Sequence, residues 1–132
     1  MRILIFGCQG AGWHLTPMLA KQGHSVVAID TDPDVVDELS TCANVEALLY
    51  REPMLDSLRQ AGLGDADAFI AFTDSDSRNG MAAQVAQRIF HIPKVFCSIR
   101  DPHRQKVYEK LGLTVINPTS VLVDGITSGL QG

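Results

Sequence analysis

The chain has 132 residues, enough for one domain that buries about two-thirds of its unfolded surface. Hydrophobic residues make up 45% and charged residues 20%, an ordinary globular balance, and the net charge of −4 argues against a bulk electrostatic hold on nucleic acid or anionic lipid. Cys8, Cys42 and Cys97 form neither a disulfide framework nor a zinc motif, and no signal peptide or apolar stretch of ~18 residues is seen, so a cytoplasmic protein without direct membrane insertion is expected.

Along the chain, strand and helix patterns alternate. RILIF (2–6) is the first strand; the glycine turn GCQGAG (7–12) leads into a helix beginning near residue 11. SVVAID (25–30) is the second strand, and Asp32-Pro33 places a capping carboxylate before a proline that opens the next helix. VEALLY (45–50) and AFIAFT (68–73) follow as strands, and the acids after Thr73 are expected to cap a helix over 78–90. That helix carries Met81, Ala82, Val85, Ala86, Ile89 and Phe90 as one apolar stripe. KVFCSI (94–99), a second Asp-Pro start at Asp101-Pro102, and TVIN (114–117) complete the series, with Gly23, Gly62 and Gly112 as helix stops. Most strands are apolar throughout, as strands covered on both faces are. Six β-α units predict an α/β, Rossmann-like, doubly wound six-stranded parallel sheet of order 3-2-1-4-5-6 in a single domain over 1–132. The ligand crevice is expected at the carboxyl ends of strands 1 and 4.

Gly7, Gly10 and Gly12 nearly spell the dinucleotide glycine pattern, with Gln9 where the middle glycine belongs. Such a turn aims free amides of Cys8 to Ala11 and a helix's positive end at the crevice, a seat for phosphate. Asp30, at the tip of the second strand and followed by Thr31, is placed to accept ribose hydroxyls and to disfavour a 2′-phosphate. The bland alternative is that Gly7 and Gly12 permit tight packing and Asp30 is a solvated strand end. Gln9 either crowds the phosphates or donates to one. Cys8, near a helix start, is a candidate for a lowered thiol pKa or a small filler. Arg100 either reaches a phosphate or pairs with Asp101 or Asp76. Thr73 and Asp74 are expected to line the nucleotide. No nucleophile–base pair or metal-ligand spacing is visible, so no enzyme is expected.

The stretches GCQGAG (7–12), LRQAGLGDADAFIAFTDSD (58–76), Asn79, and IRDP followed by KLGLTVINPT (110–119) resemble the N-terminal nucleotide-binding domain of the potassium-transport regulators, the RCK or TrkA-N family. The resemblance covers essentially the whole chain. It implies binding of NAD(H) or an adenine nucleotide (ATP, ADP or AMP), a homodimer or higher oligomer, and a membrane potassium channel or transporter as partner. It also implies that Gly7, Gly12 and Asp30 hold phosphates and ribose, and that 118–132 is a crossover helix for a neighbouring subunit, with Leu122, Ile126 and Leu130 on one face. The alternative for that helix is packing on the domain's own sheet. Two departures stand out: Gly10 replaces a basic residue common in the family's turn, and Tyr50, Arg51 and Glu52 replace its Gly-Asp-Ala. Arg51 is then a candidate to stack on a base or meet a phosphate. The family's second, C-terminal ligand domain has no counterpart in these residues, so the chain is read either as a single-domain member with a partner chain or as a piece. Two other readings are an NAD-dependent oxidoreductase cofactor domain and a degenerate partner subunit without nucleotide affinity.

Overall fold

The computed structural model describes residues 1–132. Its strands are β1 (Arg2–Phe6), β2 (Ser25–Asp30), β3 (Val45–Leu49), β4 (Ala68–Ala71), β5 (Lys94–Ser98) and β6 (Thr114–Ile116). The helices between and after them are α1 (Ala11–Lys21), α2 (Pro33–Leu39), α3 (Met54–Gln60), α4 (Asp76–Gln84), α5 (Pro102–Lys110) and α6 (Pro118–Gln131). All strand pairs are parallel, and the order is 3-2-1-4-5-6, as the alternating pattern predicts.

The central strands are apolar because both faces are covered. On one face Leu4, Phe6, Val27, Ile29 and Phe69 join Leu58, Leu63 and the alanines of α4 in the larger core cluster. On the other, Ile3, Ile5, Val26 and Ala28 meet Cys8, Ala20 and Leu39. The period-2 alternation of side chains distributes each strand between the two layers. β1 lies between β2 and β4, so the chain reverses its winding direction there and opens a crevice above the carboxyl ends of β1 and β4.

Helix boundaries follow their capping chemistry. Asp32 and Asp101 accept the N–H groups of Asp34 and Arg104 ahead of Pro33 and Pro102. The cap of α4 differs from expectation: Ser75 Oγ accepts the Arg78 N–H at 3.2 Å, so the helix begins earlier than the apolar stripe suggests. Asp76 instead accepts the backbone N–H groups of Arg100 and Asp101, each at 2.9 Å, tying α4 to the end of β5. The stripe itself is split. Ala82 and Ala86 are buried, whereas Met81 and Ile89 are more than half exposed. A π-helical turn at Val85–Ile89 follows α4, so the helical period changes partway along the stripe.

The last helix does not pack on its own sheet. No residue of α6 is buried, and Val121, Leu122, Val123, Ile126 and Leu130 are all at least half exposed. Asn117 fixes its start: Oδ1 accepts from Thr119 and Ser120, while Nδ2 donates to the Arg100 carbonyl and to Gln105 Oε1. No helix is long and apolar enough to cross a membrane.

Candidate crevice at the switch point

The turn after β1 is built by glycine. Gly7 has φ +94°, and a Cβ there would lie 2.5 Å from the Thr73 nitrogen and 2.6 Å from the Phe72 carbonyl carbon. Gly12 is the second close approach, since a Cβ on it would overlap the Gly7 carbonyl oxygen. Gly12 therefore lets α1 sit down on the turn and does not itself line the crevice. Gly10 is different: it has φ +58° and open space around it, so only its backbone conformation calls for glycine.

This geometry leaves the N–H groups of Gln9, Gly10 and Ala11 without an acceptor in the protein, whereas Gly7 N–H donates to the Ile29 carbonyl and Gly12 N–H to that of Gln9. Cys8 N–H is also used, donating to Asp30 Oδ2 at 2.7 Å. Three consecutive free amides at the start of a helix form an anion-binding concavity. Gln9 and Gly10 line a polar crevice of about 250 Å³ together with Phe6, Gly7, Asp30, Thr31, Phe72, Thr73, Asp74, Arg78 and Arg100, and Ala11 lies on the adjoining cleft. A second, more apolar cleft of about 450 Å³ shares Gln9, Gly10, Thr73 and Arg100 and extends past Ala11, Ile116 and Pro118 to Val121 and Leu122 of α6.

Asp30 is 4% exposed and is compensated by three N–H donors: Cys8, Asp32 and the Gln9 carboxamide. It is a strut of the turn as well as a wall of the crevice. The opposite wall is held by Asn79, 1% exposed and fully satisfied. Its Oδ1 accepts the Thr73 N–H at 2.8 Å and the Thr73 hydroxyl at 2.6 Å. Its Nδ2 donates to the carbonyls of Thr73 and Ser98 at 3.0 and 2.8 Å, clasping the ends of β4 and β5.

Several expected site residues are relocated by the fold. Cys8 points inward, with Sγ against the carbonyls of Ile5 and Ile29. Burial first, and the negative Asp30 second, push its thiol up to about 12, so of the two alternatives for Cys8 the small buried filler is the one the fold adopts. Cys97 is pushed up to about 11, by burial and then by Asp76. At pH 8 a thiol reagent is therefore expected to modify half-buried Cys42 and to spare Cys8 and Cys97 until the chain unfolds, as mass spectrometry of the alkylated protein would show. The raised thiol of Cys8 also fixes a sign. Between its ordinary 9.0 and about 12 the folded chain keeps a proton that the unfolded chain has lost, so this contribution is complete below pH 9 and declines as pH rises toward 12.

Arg51 is exposed and lies outside both clefts, because the chain turns away after Tyr50. The arginine that does reach the crevice from that side is Arg78, which the sequence reading missed. Its guanidinium lies 5.8 Å from the centroid of the Tyr50 ring, and Tyr50 packs on Phe6 and donates its hydroxyl to Glu52 at 3.0 Å. The signal was present: Arg78 stands three residues after the helix-capping Ser75, in the first helical turn beyond β4. Arg100 is among the residues lining the crevice and pairs with neither Asp76 nor Asp101: Asp76 accepts the backbone N–H groups of Arg100 and Asp101, and the one ion pair joins Arg104 to Asp101 at 3.9 Å. No group of three or more His, Cys, Asp or Glu converges anywhere in the fold.

A doubly wound sheet with free amides, a buried acid and two arginines at its switch point defines a Rossmann-like α/β domain. The family model of the TrkA-N domain matches residues 3–118, and the chain belongs to that family. Among curated relatives, the Trk system potassium uptake protein TrkA of Streptomyces coelicolor is 36% identical over 116 residues, which is 88% of this chain and 52% of the relative. That of Halomonas elongata is 35% identical over 100 residues, 76% of this chain and 22% of the relative. The chain thus spans between about a fifth and a half of these relatives. Solved structures share the fold at lower identity. The TrkA-N domain of the inner membrane protein ybaL from Escherichia coli superposes with TM-score 0.88 at 18% identity, covering 98% of this chain and 96% of that one. The Kef CTD of Shewanella denitrificans in AMP-bound form gives 0.80 at 20%, covering 100% and 82%. The GsuK channel bound to NAD gives 0.72 at 22%, covering 92% and 22%.

Proposed function

We propose that this chain is a non-enzymatic, nucleotide-responsive regulatory domain of a potassium-transport system, acting at the cytoplasmic side of a channel or transporter. The observation that carries the reading is the row of unpaired amides at Gln9, Gly10 and Ala11, the first two of which line one crevice with Asp30, Arg78 and Arg100. Phosphate would rest on those amides with Arg100 and Arg78 as charged partners, and the sugar and base would extend toward Thr31 and Asp74. The polar crevice alone is at the small end for ligand pockets, which favours an adenine mononucleotide over a full NAD(H), whose second half would have to enter the apolar cleft beside α6. Membership of the TrkA-N family and the AMP and NAD of the neighbours support the ligand class.

The exposed apolar face of α6 supports a homodimer, in which that helix lies against a second copy. Because Val121 and Leu122 also line the cleft, a ligand there would touch the pairing helix directly. Only a ligand that binds one arrangement of the pair more tightly shifts their populations.

One observation favours a second reading, a partner subunit that has lost nucleotide affinity: Gln9 already donates to Asp30. A thermal-shift and calorimetry panel of AMP, ADP, ATP, NAD and NADH separates the two. At least one ligand is expected to raise Tm in the wild type, with light scattering showing a dimer. Arg100→Ala is expected to weaken that ligand about tenfold or more, the scale of one charge-assisted hydrogen bond. No shift with any of the five would leave the second reading standing.

A further inference from the structure

Asp30 is the acid expected to receive ribose hydroxyls, yet most of its acceptor positions are filled. Oδ1 accepts the Asp32 N–H at 2.9 Å and Gln9 Nε2 at 3.3 Å, and Oδ2 accepts the Cys8 N–H at 2.7 Å. A carboxylate offers about four acceptor positions, so about one remains, and it lies on Oδ2. A vicinal diol that grips both oxygens needs one position on each. Two of the present donors are backbone groups fixed by the turns after β1 and β2. The Gln9 contact is the longest of the three, and its side chain is exposed, so Gln9 alone can yield.

We infer that Gln9 is a specificity-determining residue whose carboxamide occupies the ribose position on Asp30. In consequence the site takes adenine nucleotides through phosphate and base and discriminates only weakly between sugars with and without a 2′,3′-diol. This rests on the nucleotide reading above. A diol entering the native site replaces the Gln9 bond and returns that amide to water, so the exchange is close to even. With glycine at position 9, Asp30, 4% exposed in the native chain, has lost one of its donors, and the same diol then supplies the bond that Gln9 made. The backbone of residue 9 is not in the left-handed region, so neither glycine nor alanine there disturbs the turn's conformation.

The test is isothermal titration of AMP and of 2′,3′-dideoxy-AMP into the wild type, Gln9→Gly and Gln9→Ala, each first checked for an unaltered melting transition. The ratio of the two dissociation constants is expected within about threefold for the wild type and about tenfold or more in both variants, the scale of a hydrogen bond to a charged acceptor. A wild-type ratio already at tenfold, or one that neither substitution moves, overturns the role of Gln9 and leaves the nucleotide reading intact. Binding confined to the variants, with the diol preferred, supports Gln9 as the occupant of Asp30 and overturns nucleotide binding by the native chain. Silence from all three proteins with both ligands overturns both.

Discussion

Gly7→Ala is expected to cost more than about 4 kcal/mol and to leave little folded protein, against a total stability of about 5–15 kcal/mol for a domain of this kind. Two independent penalties meet at this position. The backbone has φ +94°, which disfavours any L side chain by about 1–3 kcal/mol. The added Cβ would also lie 2.5–2.8 Å from main-chain atoms of Phe72 and Thr73, and those atoms cannot move without separating β4 from β1. Gly10→Ala is the control. It has φ +58° but meets nothing within 4 Å, so only the conformational term of about 1–3 kcal/mol applies. Circular dichroism and thermal melting of the two variants should separate them by many degrees; a Gly7→Ala protein melting beside the wild type would show that the turn is not clamped between the strands.

Asn79→Ala is expected to lower stability by about 3 kcal/mol and Tm by roughly 10 °C. The side chain makes four hydrogen bonds in a site that is 1% exposed. Its removal takes their Asn79 partner from the Thr73 N–H and the carbonyls of Thr73 and Ser98, while the Thr73 hydroxyl keeps the Ser75 carbonyl as acceptor at 3.3 Å. Each stranded backbone group carries a desolvation cost of about 1–3 kcal/mol, reduced where water enters. Asn79→Asp keeps the acceptor for Thr73 and loses the two Nδ2 bonds, so it tests the donors alone and is expected to be destabilised as well, because a carboxylate would face two carbonyls. Since Asn79 does not line the crevice, a loss of nucleotide affinity in a still-folded variant would report the position of Thr73. Chemical denaturation resolves the first effect and calorimetry the second; an unchanged midpoint in Asn79→Ala would mean that the four bonds contribute no net stability.

The sheet order was legible because its determinants are local and repeated. Apolar runs such as RILIF and SVVAID, Asp-Pro helix starts at 32–33 and 101–102, and glycine stops at 23, 62 and 112 all act within a few residues, and right-handed crossovers leave few alternative topologies. The glycine turn and the acid at the tip of β2 were legible for the same reason: strand, turn, helix and Asp30 occur in fixed order. Membership of the TrkA-N family was equally readable, since its signal lies in contiguous stretches of sequence.

What sequence could not decide was direction. Whether Cys8 faced the crevice or the core, whether Arg51 or Arg78 entered it, and what Asp76 bound all depend on which way a side chain leaves a turn. The pleat and helix starts settle that only once the layers are packed. Burial then decided between the two readings of Cys8 in favour of a small filler, because desolvation outweighs the nearby helix start. Position 9 shows the division most clearly. The letter Gln marked a departure from the glycine pattern, but only the three-dimensional arrangement set its carboxamide 3.3 Å from Asp30, because that contact joins residues 21 apart in sequence. Local chemistry wrote the elements; long-range packing chose which of their side chains meet.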